Sequence, residues 1–312
     1  MIRILVTDGM DKEAIEQLKK QGFDVSEQHY APEELGAAMR EYDALVVRSS
    51  TQVRACHIDA AKESRLKLII RGGVGTDNID VAYAEANGIA VRNTPRASSQ
   101  SVAELALAHM LSCCRFISAA GYTMREGRWD KKAYSKGIEI GGKTLGIIGF
   151  GRIGQATGRI ARALGMKVIA YSRSVREDGK EIGDYVDLDT LLHTSDVIAL
   201  HCPLFPETEG IINKANIEKM KDGVIIINNS RGQLVVEQDL ADALNSGKVY
   251  AAGLDVVSTE PIREDNPLLK AKNCLITPHI SWAPRESRQR IMDCTEANIR
   301  AFLAGKPQNV VN

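Results

Sequence analysis

Gly149-Phe150-Gly151-Arg152-Ile153-Gly154 decides the fold, because it follows the apolar run Leu145–Ile148 and opens a helical pattern that continues to Leu164. Strand, glycine turn and helix in that order make the dinucleotide fingerprint. Gly149 permits the tight turn, Gly151 lets the backbone approach a pyrophosphate, and Gly154 lets helix and strand pack closely. The first helical residues, Arg152 and Ile153, bring free amides and the positive end of the helix dipole to the phosphates.

On both sides of this motif, short runs rich in Val, Ile and Leu alternate with longer helical patterns, the rhythm of a parallel sheet covered by helices. The fold class is α/β. Upstream, strands are expected at 2–7, 24–26, 44–47, 68–70 and 90–91, with helical segments such as Lys12–Gln21 between them. Downstream, strands are expected at 144–149, 167–170, 197–200, 224–227 and 251–255. Between the two series, Ser101-Val102-Ala103-Glu104 reads as a capping box for a helix that is apolar nearly all round as far as Ile117. That pattern suits either a core element or a subunit interface. A final amphipathic helix is expected from Arg285 to Gly305, returning to the first domain. Short crossings near 95–99 and 283–286 then divide the chain into 1–98 with 286–312, and 99–285.

A chain of 312 residues is longer than one hydrophobic core usually serves, which agrees with roughly two domains. Forty basic and forty acidic residues cancel and form no long block, so nucleic acid and anionic membranes are poor partners. The N-terminus is interrupted by Asp8, as a strand and not a secretion signal would be, and no run approaches the roughly 20 apolar residues of a membrane span. Six cysteines without CxxC spacing read as reduced thiols, and a cytoplasmic location is expected. The histidines show no metal-site spacing, so no metal is implied. His29, His57, His109, His193 and His201 read as structural or surface residues, with His201 at a strand end where it would line the cofactor pocket.

The strand after the glycine motif ends not in the acid that would hold the ribose of NAD but in Ser172-Arg173, with Arg176 close behind. A hydroxyl beside guanidinium groups can bind a 2′-phosphate that a carboxylate would repel. NADP is therefore expected to be accepted and favoured, with NAD as the alternative.

Three further segments fall at strand ends, where open α/β sheets build their sites: Asn228-Asn229-Ser230-Arg231-Gly232, Asp255 to Pro261, and Thr277-Pro278-His279-Ile280-Ser281. Together with the mid-chain glycine motif, this ordered set resembles the D-isomer-specific 2-hydroxyacid dehydrogenase family, from Leu5 to Asn309. The resemblance implies a Rossmann-type nucleotide domain beside a flavodoxin-like substrate domain. It implies that Arg231 binds the substrate carboxylate and carbonyl, that His279 is the acid/base, and that Glu260 supports His279. It adds Pro203 and Thr208 near the adenosine and phosphates, and Asn229 and Asp255 around the nicotinamide. Glu260 argues against the formate dehydrogenase branch, which is expected to carry an amide there. The identities also make chemical sense on their own. Reduction of a 2-oxo acid needs a proton at the carbonyl oxygen, which imidazole supplies near neutrality. A carboxylate beside it favours the imidazolium. A guanidinium fork matches a planar carboxylate better than an ammonium does.

For the substrate, Arg71-Gly72-Gly73-Val74-Gly75 follows a strand, and the amides of Gly73, Val74 and Gly75 can form an anion-binding concavity. Arg71 and Arg48 resemble the positions at which 3-phosphoglycerate dehydrogenases meet the substrate phosphate. Lys131 or Lys132 from a neighbouring subunit would add charge if the family's homodimer is kept. Ser172-Arg173 and Thr277 to Trp282 instead resemble the hydroxypyruvate and glyoxylate reductases. The weight placed on Arg48 and Arg71 leads to 3-phosphoglycerate and serine biosynthesis as the expectation, without serine feedback through a regulatory domain. Hydroxypyruvate/glyoxylate reductase is the first alternative and a non-enzymatic NAD(P) sensor the second. An L-type hydroxyacid dehydrogenase would carry its glycine motif near the N-terminus instead.

Overall fold

The computed structural model describes residues 1–10 and 12–312. The chain forms two compact units, Met1–Ser98 with Trp282–Asn312, and Ser99–Ser281. The second crossing therefore falls at Ser281/Trp282, four residues before the expected 285/286.

In the first unit, strands β1 (Arg3–Val6), β2 (Asp24–Glu27), β3 (Ala44–Val47), β4 (Leu68–Arg71) and β5 (Ala90–Asn93) form a wholly parallel sheet in the order β2-β1-β3-β4-β5. Alternate residues point to opposite faces of a strand, and here both faces are buried. Leu5, Leu45, Ile69 and Val91 enter one core, while Ile4, Val6, Val46 and Ile70 enter the other. The helix Arg285–Leu303 contributes Ile299 to the second core. The chain reverses its direction of winding between β1 and β3, which brings the residues just beyond them, Asp8 and Arg48, to the switch point.

The second unit carries β6 (Thr144–Ile148), β7 (Lys167–Tyr171), β8 (Asp184–Tyr185), β9 (Val197–Leu200), β10 (Val224–Asn228), β11 (Val249–Leu254) and β12 (Cys274–Ile276). They pair in parallel in the order β12-β11-β10-β9-β6-β7-β8, with the switch point between β6 and β9. The same two-faced burial recurs. Ile148, Leu200, Ile226 and Leu254 lie on one side, with Leu145, Ile147, Ala199 and Ile227 on the other. Strand β8 was not anticipated, and β12 was implied only by the strand-end placement of residues 277–281, since two or three residues are too few to show a period.

The buried central helix runs from Ser99 to Arg115, so Ser101 lies inside it and does not cap it. Its buried residues include Val102, Ala106, Leu107, Met110 and Cys114, which makes it a core element of this unit. It ends where Phe116 takes a left-handed conformation (φ 56°), and a second helix, Ile117–Arg125, departs at 66°. Among the described residues, no single helix is long and apolar enough to cross a membrane.

Candidate active site

The glycine motif forms the cradle its spacing predicts. Gly149 has φ 95°, and a Cβ there would stand 2.3 Å from the Cys202 amide nitrogen. A Cβ on Gly154 would stand 2.3 Å from the Gly149 carbonyl oxygen, so the helix Arg152–Ala163 can approach β6 this closely only with glycine. Gly151 is the helix N-cap, has no side-chain capping bond and faces open space. Free first-turn amides beside an open glycine surface, at Arg152 and Ile153, fit a dinucleotide pyrophosphate.

At the far end of β7, Ser172 is half-buried and the guanidinium of Arg173 lies 5.2 Å from the Phe205 ring centroid. Phe205 is set there by Thr208, whose hydroxyl accepts from the Phe205 amide (2.8 Å) and donates to the Pro203 carbonyl (2.8 Å). Pro203 and Thr208 thus act through the shape of their loop. Arg176 does not extend the cationic site as expected. Both its Nε and Nη2 are engaged by Asp178 at 3.0 Å, and the pair holds that carboxyl at about 2.

Arg231, Glu260 and His279 follow the adjacent strands β10, β11 and β12. His279 Nδ1 lies 2.8 Å from Glu260 Oε2. The His279 backbone is left-handed (φ 53°), a conformation that non-glycine residues adopt mainly when their surroundings hold them there. Here the His279 amide donates to Asp255 O (2.8 Å) and Thr277 O (3.0 Å). Glu260 sits on a loop anchored by Glu237, which accepts from the Ser258 amide and hydroxyl (both 2.7 Å) and from Asn266 Nδ2 (3.0 Å). The turn bearing Arg231 is pinned by the fully buried Asn228, whose Nδ2 donates to Arg231 O (2.8 Å) while its Oδ1 accepts from the Ser230 amide (3.0 Å). Arg231 Nη1 donates to Ser230 O at 2.7 Å.

Asp255 differs from its expected place as a group offered to a ligand. Its carboxylate is wholly buried and accepts from Thr277 Oγ1 (2.5 Å), Ile280 N (2.9 Å), Ser281 N (2.8 Å) and Ser281 Oγ (2.5 Å). Both oxygens are committed to the loop that carries His279, so Asp255 shapes the site through that loop. Sequence reasoning missed Glu237 and the anchoring work of Asp255, because each acts on residues distant in the chain, and it missed that Asn228 pins its own turn. An acid such as Glu237 at the first position of a helix gives no other signal.

His201 follows β9, and its Nε2 lies 3.0 Å from Thr157 Oγ1, whose hydrogen goes to Ile153 O (3.1 Å). Thr157 must therefore accept, which places the His201 proton on Nε2. Burial pulls the His201 pKa down to about 4. The unfolded chain takes up this proton near pH 6.5 and the folded chain only near 4. Its contribution to stability is complete above about 6.5 and is lost as pH falls between the two values, on the order of 3 kcal/mol in all. We expect His201→Gln to flatten the decline of Tm between pH 7 and pH 4.5, measured by differential scanning calorimetry. A variant whose decline matches that of the parent contradicts this assignment.

In the first unit, the carboxylate of Asp8 accepts from the amides of Arg48 (2.6 Å) and Thr51 (3.0 Å), fixing the turn after β3. The Arg48 guanidinium lies 3.5 Å from the centroid of the Trp282 ring, a cation–π contact. Burial, reinforced by Arg288 and opposed by Asp8, lowers the pKa of Arg48. These groups line a cavity of about 230 Å³ together with Gly72, Ile291 and Met292. Arg71 folds back over its own turn, so that a Cβ on Gly73 would stand 1.2 Å from Arg71 Nη1. The Gly73 amide is not the open anion donor expected, because it donates to Arg71 O (2.8 Å). The carbonyls of Gly73 and Val74 are held by Thr94 N (2.9 Å) and Asn93 Nδ2 (2.8 Å), which leaves the Val74–Gly75 edge of the turn as the candidate anion site. Among the described residues there is no cluster of three or more His, Cys, Asp or Glu side chains able to hold a metal ion.

Comparison with known proteins follows the same lines. Residues 107–281, more than half of the chain, match the family model described as D-isomer specific 2-hydroxyacid dehydrogenase, NAD binding domain. The chain is 59% identical over 246 residues to a hydroxypyruvate reductase of Blautia hydrogenotrophica, covering 76% of each. It is 49% identical over 292 residues to a hydroxypyruvate reductase of Thermotoga maritima, covering 93% of this chain and 94% of that one. A D-3-phosphoglycerate dehydrogenase of Archaeoglobus fulgidus is 44% identical over 315 residues, covering all of this chain and 59% of its own. Among solved structures, an acyclic imino acid reductase (Bsp5) in complex with NADPH and D-Arg superposes with a TM-score of 0.90 at 32% identity, with complete coverage of both chains. The weight placed on Arg48 and Arg71 is corrected by these similarities, which favour the hydroxypyruvate reductases over the phosphoglycerate dehydrogenases. The chain belongs to the D-isomer specific 2-hydroxyacid dehydrogenases, oxidoreductases that act on CH–OH groups with NAD(P).

Proposed function

We propose that this protein is a hydroxypyruvate/glyoxylate reductase that uses NADPH, and less well NADH, to make a D-2-hydroxy acid. The observation that carries the substrate is the 59% and 49% identity to two proteins named hydroxypyruvate reductase. Ser172 and Arg173 support the nucleotide preference: a hydroxyl and a guanidinium suit a 2′-phosphate.

In this reading the Arg231 guanidinium binds the substrate carboxylate and polarises the 2-oxo group. The bound nicotinamide supplies the hydride. His279 delivers its proton to the carbonyl oxygen, and in the reverse direction accepts it from the alcohol. Glu260, at 2.8 Å from Nδ1, orients the ring and balances the imidazolium. Asn229 contributes to the nicotinamide end and Gly149 to Gly154 to the pyrophosphate end. In the first unit the Val74 and Gly75 amides are proposed to meet a carboxylate. A homodimer is supported by the exposed apolar side chains of Ile117, Tyr122, Met124 and Trp129, an unusual concentration for a solvent-facing segment.

The deciding experiment measures kcat/KM for hydroxypyruvate, glyoxylate, phosphohydroxypyruvate and pyruvate with each nucleotide. Hydroxypyruvate is expected to exceed phosphohydroxypyruvate by at least about tenfold, a difference of ~1.4 kcal/mol in transition-state binding. The reverse order would return the assignment to phosphoglycerate oxidation. A large preference for NADH would remove the role given to Ser172 and Arg173.

A further inference from the structure

His109 was read from the sequence as a structural or surface residue, and the proposed chemistry does not use it. It is 2% exposed, on the buried helix Ser99–Arg115. Its ring bridges two segments that the chemistry does use. Nε2 lies 3.1 Å from Thr277 Oγ1, and Nδ1 lies 3.5 Å from Asn229 Nδ2. The helix comes this close to β11 because residue 253 is glycine: a Cβ there would stand 2.7 Å from His109 Cβ.

The direction of each hydrogen bond follows from the far end of the chain of contacts. An ionised Asp255 can only accept, so the Thr277 hydroxyl donates to its Oδ1 at 2.5 Å. That hydroxyl must then accept from His109, which puts the imidazole proton on Nε2. Burial favours the neutral ring over the imidazolium. Nδ1 is consequently an acceptor and takes a hydrogen from Asn229 Nδ2. The opposite orientation of the Asn229 amide would set its oxygen against the Nδ1 lone pair. Asn229 Oδ1 is therefore turned the other way, and this buried oxygen has no hydrogen-bond partner among the described residues. A buried acceptor left without a donor is costly, by ~1–3 kcal/mol, unless a ligand supplies one.

We infer that His109 is a positioning residue that locks the Asn229 amide so that its carbonyl oxygen is offered to a hydrogen-bond donor, the carboxamide NH₂ of the nicotinamide. The same ring ties Asn229 to the Asp255–Thr277 pair that holds the His279 loop, so the nicotinamide end and the proton-transfer end share one support. The inference rests on the assignment of Asn229 to the nicotinamide end and is independent of which 2-oxo acid is reduced.

The test compares His109→Leu, which fills similar space with no ring nitrogen, with His109→Asn, whose Oδ1 can restore an acceptor near the Nδ1 position that faces Asn229. Binding is measured by isothermal titration calorimetry with NADPH and with 2′-phospho-ADP-ribose, which lacks the nicotinamide. His109→Leu is expected to weaken NADPH about tenfold and to leave 2′-phospho-ADP-ribose within about twofold, with most of the loss recovered in His109→Asn. Thr277→Val, which removes the hydroxyl that sets the tautomer, is expected to show the same selective loss, and it carries the test should the leucine variant not fold. Equal weakening of both ligands, or no weakening of NADPH, overturns the inference. Absence of hydroxypyruvate turnover in the parent enzyme would sink the substrate reading and leave this binding comparison standing.

Discussion

Replacing His279 with alanine is expected to lower kcat for hydroxypyruvate reduction by about 10²- to 10⁴-fold, the usual contribution of a positioned general acid. Nucleotide affinity should stay within about twofold, since the glycine cradle and the Ser172–Arg173 end lie on β6 and β7 and not on β12. The size of the loss follows from geometry. His279 is held in a left-handed backbone conformation by two hydrogen bonds, and its Nδ1 is engaged by Glu260, which leaves Nε2 as the nitrogen able to face the substrate oxygen. Glu260→Gln retains the shape but removes the negative charge, and a smaller loss of about tenfold is expected, the scale of one charge-assisted hydrogen bond. Stopped-flow measurement of NADPH oxidation separates the chemical step from product release. A His279→Ala enzyme with nearly unchanged single-turnover rate would show that another group delivers the proton.

Arg231→Lys should lower kcat/KM by about 10²-fold and Arg231→Ala by about 10³-fold, the scale on which removal of a preorganised donor acts. Lysine keeps the charge but cannot present two parallel N–H groups to a carboxylate. Because the same guanidinium is assigned both anchoring and polarisation, the loss should divide between a raised KM and a lowered kcat. A loss confined to KM would leave Arg231 as an anchor alone. The backbone around it should be undisturbed, since Asn228 pins this turn through the main chain and not through the arginine side chain.

The readings that went astray are instructive about what a local pattern conveys. Ser101-Val102-Ala103-Glu104 has the spacing of a capping box, yet the helix starts at Ser99 and Ser101 lies buried inside it. Arg176 follows Ser172-Arg173 in sequence, but two residues further on Asp178 takes its guanidinium. Arg48 and Arg71 looked equally available for a phosphate. One lies over an indole that is 234 positions away in the chain, and the other folds over its own turn.

The sequence by itself determined the α/β class, the two series of strands, the glycine cradle, and the identities of Arg231, Glu260 and His279. All of these are written in short windows, where period, turn chemistry and strand-end polarity depend on near neighbours. Only the tertiary structure decided what holds those groups in place. His109 meets Thr277 across 168 positions and Asn229 across 120, and Asp255 grips a loop 22 to 26 residues away. A hydrogen bond needs its atoms within about 3 Å with the right orientation. For partners so far apart in the chain, that condition is met only when whole strands and helices have packed, and no local window of residues contains it.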